Sequence, residues 1–200
     1  MRLLVATKNS GKIQEIAQIL SPLGIEVVSQ GDTDITVDIE ETGSTFQENA
    51  LIKARAVAMM CDEPVLADDS GLCVEALDGA PGIHSARYAG SDASDMDKIQ
   101  KLLGELEGVK NRRAKFVCVM AMVFPDGEEL TASGEVSGSI TTQIKGEGGF
   151  GYDPIFYADE LKKTFAEAGE DEKNRVSHRS RALHNLVDKL NQLMKSNEAE

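Results

Sequence analysis

Short continuous apolar runs and helically spaced apolar residues succeed one another along this chain. Residues 2–6 form an apolar run and predict a strand. Residues 7–12 are a polar turn. Ile13, Ile16, Ala17, Ile19 and Leu20 then recur at helical spacing until Pro22 and Gly24 stop them. Residues 25–29 and 35–39 predict short strands, and 40–43 a loop. Thr45 with Glu48 is a capping-box pattern that opens a helix to about residue 60. Residues 64–67 predict a strand running into an acidic turn, Asp68-Asp69-Ser70-Gly71, with 72–77 extended beyond it. Residues 78–90, rich in Gly and Pro, predict a long ordered loop, and 94–107 a helix. Residues 114–124 and 128–136 flank Pro-Asp-Gly, the strongest hairpin signal here. Residues 145–153 are a Gly-rich loop. Residues 177–195 close the pattern as an amphipathic helix with Leu183, Leu186, Val187, Leu190 and Leu193 on one stripe, and 196–200 read as a frayed tail.

This alternation argues α/β or α+β rather than a bundle or a sandwich. The 200 residues suffice for one domain of two lobes, taken here as 1–195. Lys and Arg number 21 against 34 Asp and Glu, a net charge of −13. So acidic a chain is a poor non-specific binder of nucleic acid or membrane surfaces, since neutralising phosphates needs excess cations. No apolar run approaches the ~20 residues of a membrane span, and the start lacks the apolar stretch of a signal peptide. Cys61, Cys73 and Cys118 form neither a disulfide framework nor a zinc pattern. Each is flanked by apolar residues, which suits buried thiols in a reducing cytoplasm.

Five places could carry chemistry. In the first, the strand over 2–6 feeds Thr7, Lys8, Asn9, Ser10, Gly11 and Lys12 into a helix N-terminus, where amide groups and the helix dipole favour an anion. It is not a Walker A loop, because Ala6 and Ile13 stand at key positions; an ordinary turn with solvated lysines is the alternative. Second, Lys53 falls on the apolar stripe Phe46, Ala50, Ala54, Val57 and Met60, with Asn49 at its edge. Such a lysine must snorkel, pair or meet an anionic ligand. Third, only one of Asp68 and Asp69 naturally faces a cleft on an extended backbone. Carboxylates at a strand end suit Mg²⁺, and Glu40 or Glu41 could supply another, although acidic turns are common.

Fourth, Gly148, Gly149 and Gly151 flank Phe150, allowing close backbone approach and a stacking platform, or else a bulged hairpin with a core phenylalanine. Fifth, Ser177 could cap the last helix, placing His178 and Arg179 in its first turn. Cations there oppose the dipole unless an anion or a carbonyl-rich base is near.

Six stretches occur together in order: residues 6–12, 40–50 with Lys53, 67–72, 79–88, 148–156 and 173–179. On these the chain resembles the inosine triphosphate pyrophosphatases, the dITP/XTP family of non-standard purine NTP pyrophosphatases. Lys8, where many relatives carry Gly, and His84, where an aromatic is common, depart from the pattern. The resemblance implies an α/β fold with a long, curved mixed β-sheet, flanking helices and two lobes around a central substrate cleft. It also implies a homodimer in the cytoplasm. The implied reaction is Mg²⁺-assisted hydrolysis (Mn²⁺ serving as well) of ITP, dITP or XTP to monophosphate and pyrophosphate. Asp69 would be general base and metal contact, and Glu41, chosen over Glu40 by motif alignment, the other metal carboxylate. Thr7 to Lys12, Lys53 and Lys173 would hold the phosphate end, and Ser70 would also bind the substrate. Phe150, Gly151, Tyr152 and Asp153 would hold base and sugar, and His178 and Arg179 would donate to the 6-oxo group. Ser85, Arg87 and Tyr88 receive no role. A Maf-type pyrophosphatase and a nucleotide-binding module without turnover are the rival readings. The Ser-His-Arg segment speaks against the former, the pairing of Asp69 with Glu41 against the latter.

Overall fold

A computed structural model describes residues 1–37 and 39–197. Seven strands form one mixed sheet: β1 (Arg2–Val5), β2 (Glu26–Ser29), β3 (Val65–Val74), β4 (Arg113–Val123), β5 (Glu129–Ile140), β6 (Phe156–Ala158) and β7 (Lys163–Thr164), in the order β2-β1-β3-β4-β5-β6-β7. β1 pairs in parallel with β2 and with β3, while β6 runs antiparallel to β5 and β7. Among the described residues five α-helices accompany it: α1 (Ser10–Leu20), α2 (Phe46–Ala58), α3 (Asp95–Glu105), α4 (Glu170–Val176) and α5 (His178–Asn197).

Local chemistry explains most boundaries. Asn9 caps α1, its side chain accepting from Lys12 N–H at 3.1 Å, so the helix starts earlier than the apolar spacing alone predicts. Thr45 caps α2 by accepting from Glu48 N–H, whereas the Glu48 carboxylate accepts from the Ser44 amide and hydroxyl. Gly127 closes the β4–β5 turn with φ +88°. Ser177 is an extended residue between α4 and α5, so Lys173 lies on a helix of its own. α5 takes in Ser196 and Asn197; the rest of the expected tail, 198–200, lies outside the described residues.

Three expectations are corrected. The extended reading of 72–77 holds only to Val74, because Glu75–Leu77 form a 3-10 turn. Residues 35–39 make no described strand: Ile35, Val37 and Ile39 pack on an apolar core as loop, and Asp38 lies outside the described residues. The acidic segment is not a turn either. β3 runs unbroken through Asp68, Asp69, Ser70 and Gly71, because both aspartates are buried among partners that offset the cost.

The chain divides into two compact units. The first comprises Met1–Asp69, Cys118–Gly134 and the chain from Arg179 on. It has one core of Leu3, Val5, Ile16, Leu66, Met120 and Leu183, and another of Leu4, Ala50, Ala54, Val65 and Ala121. The second comprises Ser70–Val117 and Glu135–His178, with a core including Leu72, Ile99, Leu102, Phe116, Phe156 and Phe165.

Candidate active site

In the first unit, α1, α2 and β3 bring a set of charged groups together. Lys12, in the first turn of α1, places Nζ 2.9 Å from Asp68 Oδ2. Arg179, in the first turn of α5 and 2 % exposed, has Nη2 3.4 Å from the same oxygen, and its Nη1 donates to Glu15 of α1. Burial pushes the Asp68 carboxyl up, but Lys12, Arg179 and Lys53 together hold it well below the usual carboxylate range. Asp68 is therefore ionised, its Oδ2 shared between two cations, one of them at the α5 N-terminus.

Asp69 has different company. Its Oδ2 accepts from Asn49 Nδ2 at 3.2 Å, and its Oδ1 lies 3.7 Å from Lys53 Nζ. Asn49 is fully buried and also accepts from Gly43 N–H at 2.8 Å, tying the 40–43 loop to β3. Lys53, one turn along α2 from Asn49, sits 2.5 Å from Glu41 Oε1. Of the fates open to Lys53, the structure shows pairing. Burial raises the Asp69 carboxyl above its ordinary value and the Glu41 charge adds to this, with Lys53 opposing. Burial disfavours the Lys53 ammonium, yet Asp68, Asp69 and Glu41 hold its pKa above normal. A carboxyl shifted upward is the better proton acceptor near neutrality.

The donor set fits a hard divalent cation. Glu41 and Asp69 already share one positive centre, the Lys53 ammonium, through carboxylate oxygens. Among the described residues no group of three or more His, Cys, Asp or Glu could hold a metal. Two carboxylates match Mg²⁺, which commonly takes its other ligands from water and phosphate.

The loop before α1 contributes Thr7, whose Oγ1 accepts from Asn9 N–H at 3.2 Å and whose carbonyl accepts from Ser29 Oγ at 3.2 Å. Lys8, Asn9 and Ser10 are exposed at this helix start, with Gly11 half-buried.

In the second unit, Lys173 Nζ donates to Asp153 Oδ2 at 2.7 Å, both side chains being buried, and lies 4.7 Å from the Phe150 ring centre. Lys173 thus lies beside both Asp153 and Phe150. Phe150 N–H donates to the same Asp153 oxygen at 3.0 Å. Gly149 is left-handed, and a Cβ there would collide with the Asp153 carboxylate. Tyr152 is buried and donates its hydroxyl to the Ser85 carbonyl at 2.9 Å. His178 is buried and stacks on Phe116, ring centres 4.7 Å apart. The His178 and Arg179 side chains therefore make different contacts, His178 with Phe116 and Arg179 with Asp68 and Glu15.

Ser85, without a role in the sequence, accepts from Leu72 N–H at 2.9 Å and donates to the Gly82 carbonyl at 2.6 Å. It packs so closely on β3 that a Cβ at Gly71 would strike both it and Gly82. Ser70, half-buried, precedes that contact on the same strand. Tyr88 donates to Glu105 under the Lys101 ammonium, and Arg87 lies 3.4 Å from His84. Asn49, noted from the sequence at the edge of the Lys53 stripe but given no role, bonds Asp69, and Glu15 was missed. Glu15 gives no local signal, because its partner is remote in sequence.

The Ham1 family model matches residues 3–189. The chain belongs to the Ham1 family. A dITP/XTP pyrophosphatase of Desulforamulus reducens is 49% identical over 195 residues, 96% of this chain and 97% of the relative. One from Halalkalibacterium halodurans is 52% identical over 185 residues, 92% and 95% of the two chains. The solved structure of a HAM1 protein from Coxiella burnetii is 43% identical, with a TM-score of 0.86 over 96% of this chain and 99% of that one. The matched residues 3–189 include the segments that carry both clusters. No helix among its described residues is long and apolar enough to cross a membrane.

Proposed function

We propose that this Ham1 chain hydrolyses non-standard purine nucleoside triphosphates, ITP, dITP and XTP, to the monophosphate and pyrophosphate. The observation that carries this is the division of labour on β3. Asp68 is paired with Lys12 and Arg179, while the neighbouring Asp69 has its carboxyl raised beside Glu41, Lys53 and Asn49. Relatives bearing the dITP/XTP pyrophosphatase name over nearly the whole chain support the same reading.

In this reading Asp69 accepts a proton from the attacking water as its oxygen bonds to the α-phosphorus. The bond from that phosphorus to the bridging oxygen breaks, and pyrophosphate leaves with the bonding pair. Lys12, Lys53 and the amides at the start of α1, with Thr7, Lys8, Asn9, Ser10 and Gly11 around them, bind the polyphosphate and stabilise the departing charge. Glu41 and Asp69 would hold Mg²⁺, or Mn²⁺, which when bound supplies Lewis-acid polarisation of the phosphoryl oxygens. Ser70 would bind beside Asp69. Phe150, Gly151, Tyr152 and Asp153 take base and sugar, Lys173 adds charge at the phosphate end, and His178 and Arg179 donate to the 6-oxo group. Arg179 has no acceptor to offer the amino group of adenine, which disfavours ATP. We place the chain in the cytoplasm as a homodimer.

The test is a panel of ITP, XTP, dITP, GTP, ATP and dTTP with Mg²⁺, read as pyrophosphate release. Fast release from the first three and slow release from ATP and dTTP is expected. Equal turnover of ATP and ITP, or release of orthophosphate instead, overturns the reading.

A further inference from the structure

Phe150 stands between two left-handed glycines, Gly149 (φ +75°) and Gly151 (φ +62°). Glycine loses more conformational freedom on being fixed than any other residue, so a loop built this way needs anchors. Gly148 N–H donates to the Ala166 carbonyl at 3.1 Å, Phe150 N–H to Asp153 at 3.0 Å and the Tyr152 hydroxyl to the Ser85 carbonyl at 2.9 Å. A fourth anchor comes from α3: Gly151 N–H donates to Asp95 Oδ2 at 2.6 Å. Its acceptor is ionised, and such hydrogen bonds are about twice as strong as neutral ones. Lys98 holds the other Asp95 oxygen at 2.6 Å and so fixes the carboxylate. Helix α3 does not depend on Asp95 for its cap, which Ser94 and Asp97 form reciprocally.

We propose that Asp95 is a positioning residue for base recognition: it holds the Gly151 amide so that the Phe150 ring and the Asp153–Lys173 pair are set before the nucleotide arrives. This rests on the reading in which Phe150 to Asp153 take the base. Preorganisation of this kind lowers the ordering cost of binding. Asp95 acts through Gly151 and does not touch the reacting phosphorus. Its loss therefore falls on binding of the base and not on the chemical step.

The experiment compares the full-length wild type with Asp95→Ala and Asp95→Asn, measuring pyrophosphate release from ITP and ATP with Mg²⁺ and hydrogen exchange at the Gly151 amide without nucleotide. Asp95→Ala is expected to raise KM for ITP about tenfold with kcat within about twofold, the size expected for losing one charge-assisted hydrogen bond. The ratio of ITP to ATP kcat/KM should shrink, because ATP draws less on the base site. Asp95→Asn keeps an oxygen acceptor and should restore most of the KM. Gly151 exchange should quicken about tenfold in the Ala variant and less in the Asn variant. A general loss of folding would instead lower kcat and loosen amides throughout. Unchanged KM in Asp95→Ala, or no recovery in Asp95→Asn, overturns the positioning role. A wild type that shows no preference for ITP overturns the base-site reading instead, and unchanged Gly151 exchange overturns the clamp whatever the substrate.

Discussion

Lys12 Nζ sits 2.9 Å from Asp68 Oδ2, and that carboxylate is wholly screened from solvent. Arg179 approaches the same oxygen at 3.4 Å. A buried ion is tolerated when its partners are close, and removing one member of such a set strands the others. Two adjacent aspartates on one strand thus have separate duties, Asp68 holding cations in place and Asp69 facing Glu41, Asn49 and Lys53.

Asp68→Asn should therefore cost stability, on the order of 3–5 kcal/mol, since Lys12 and Arg179 lose their counter-charge. Asp69→Asn should leave unfolding near wild type and cut pyrophosphate release about 10²–10⁴-fold, the range for a lost general base. Denaturant unfolding and steady-state release on both variants check this. A stable, inactive Asp68→Asn beside an active Asp69→Asn reverses the assignment.

The depressed Asp68 carboxyl also gives a pH signature. Its folded pKa lies below the unfolded value of about 3.9, so its contribution is complete above that pH and is lost as pH falls toward the folded value. Wild-type stability should drop through this acid window more steeply than that of Asp68→Asn, as urea midpoints from pH 5 downward would reveal. Parallel curves for the two proteins refute it.

Much of this fold was legible because its signals are local. The Thr45 cap, the Pro-Asp-Gly turn and the helical stripes each need only a few neighbouring residues. The strand through Asp68 and Asp69 was not legible, since two aspartates before Ser-Gly read as a turn. The groups that let them sit in a sheet, Lys12 and Arg179, are distant in sequence. The cations at the start of α5 did signal a nearby anion. That anion includes the chain's own Asp68 and Glu15, which no local pattern announces. Residues 35–39 misled for the opposite reason: alternating apolar residues pack on a core equally well from a loop.

Lys53 is paired with Glu41 and close to Asp69, which leaves its contribution to stability and to catalysis separable by experiment. Lys53→Ala should lower kcat about 10²–10³-fold, the scale for losing one preorganised positive group. Early melting with kcat retained would make the lysine a purely structural ion pair.

Metal removal gives a direct test of the two-carboxylate site. Pyrophosphate release should vanish with excess EDTA and return with Mg²⁺ or Mn²⁺, because an all-oxygen donor pair favours hard cations. Glu41→Gln should need more Mg²⁺ for half-maximal rate. Full activity in EDTA, or an unchanged Mg²⁺ requirement in Glu41→Gln, refutes the site.

Arg179 carries the sharpest prediction, because its contacts and its proposed role pull on different observables. Its guanidinium is buried against Asp68 and Glu15, so Arg179→Ala takes one cation from each, Asp68 keeping Lys12, and should destabilise the fold by about 3 kcal/mol. That loss is the same whatever nucleotide is offered. If Arg179 also donates to the 6-oxo group, the variant should lose more kcat/KM with ITP than with ATP, by about 10-fold or more for one hydrogen bond to a charged donor. Arg179→Lys separates the two effects. It keeps a positive charge for Asp68 and recovers part of the stability, but a compact ammonium cannot reproduce the planar fork, so the ITP preference should stay reduced. Assays below the melting point of each variant, with ITP and ATP side by side, read the ratio free of unfolding. A ratio unchanged in both variants would leave Arg179 as an internal counter-ion and move the choice of base to His178 and the Phe150 loop.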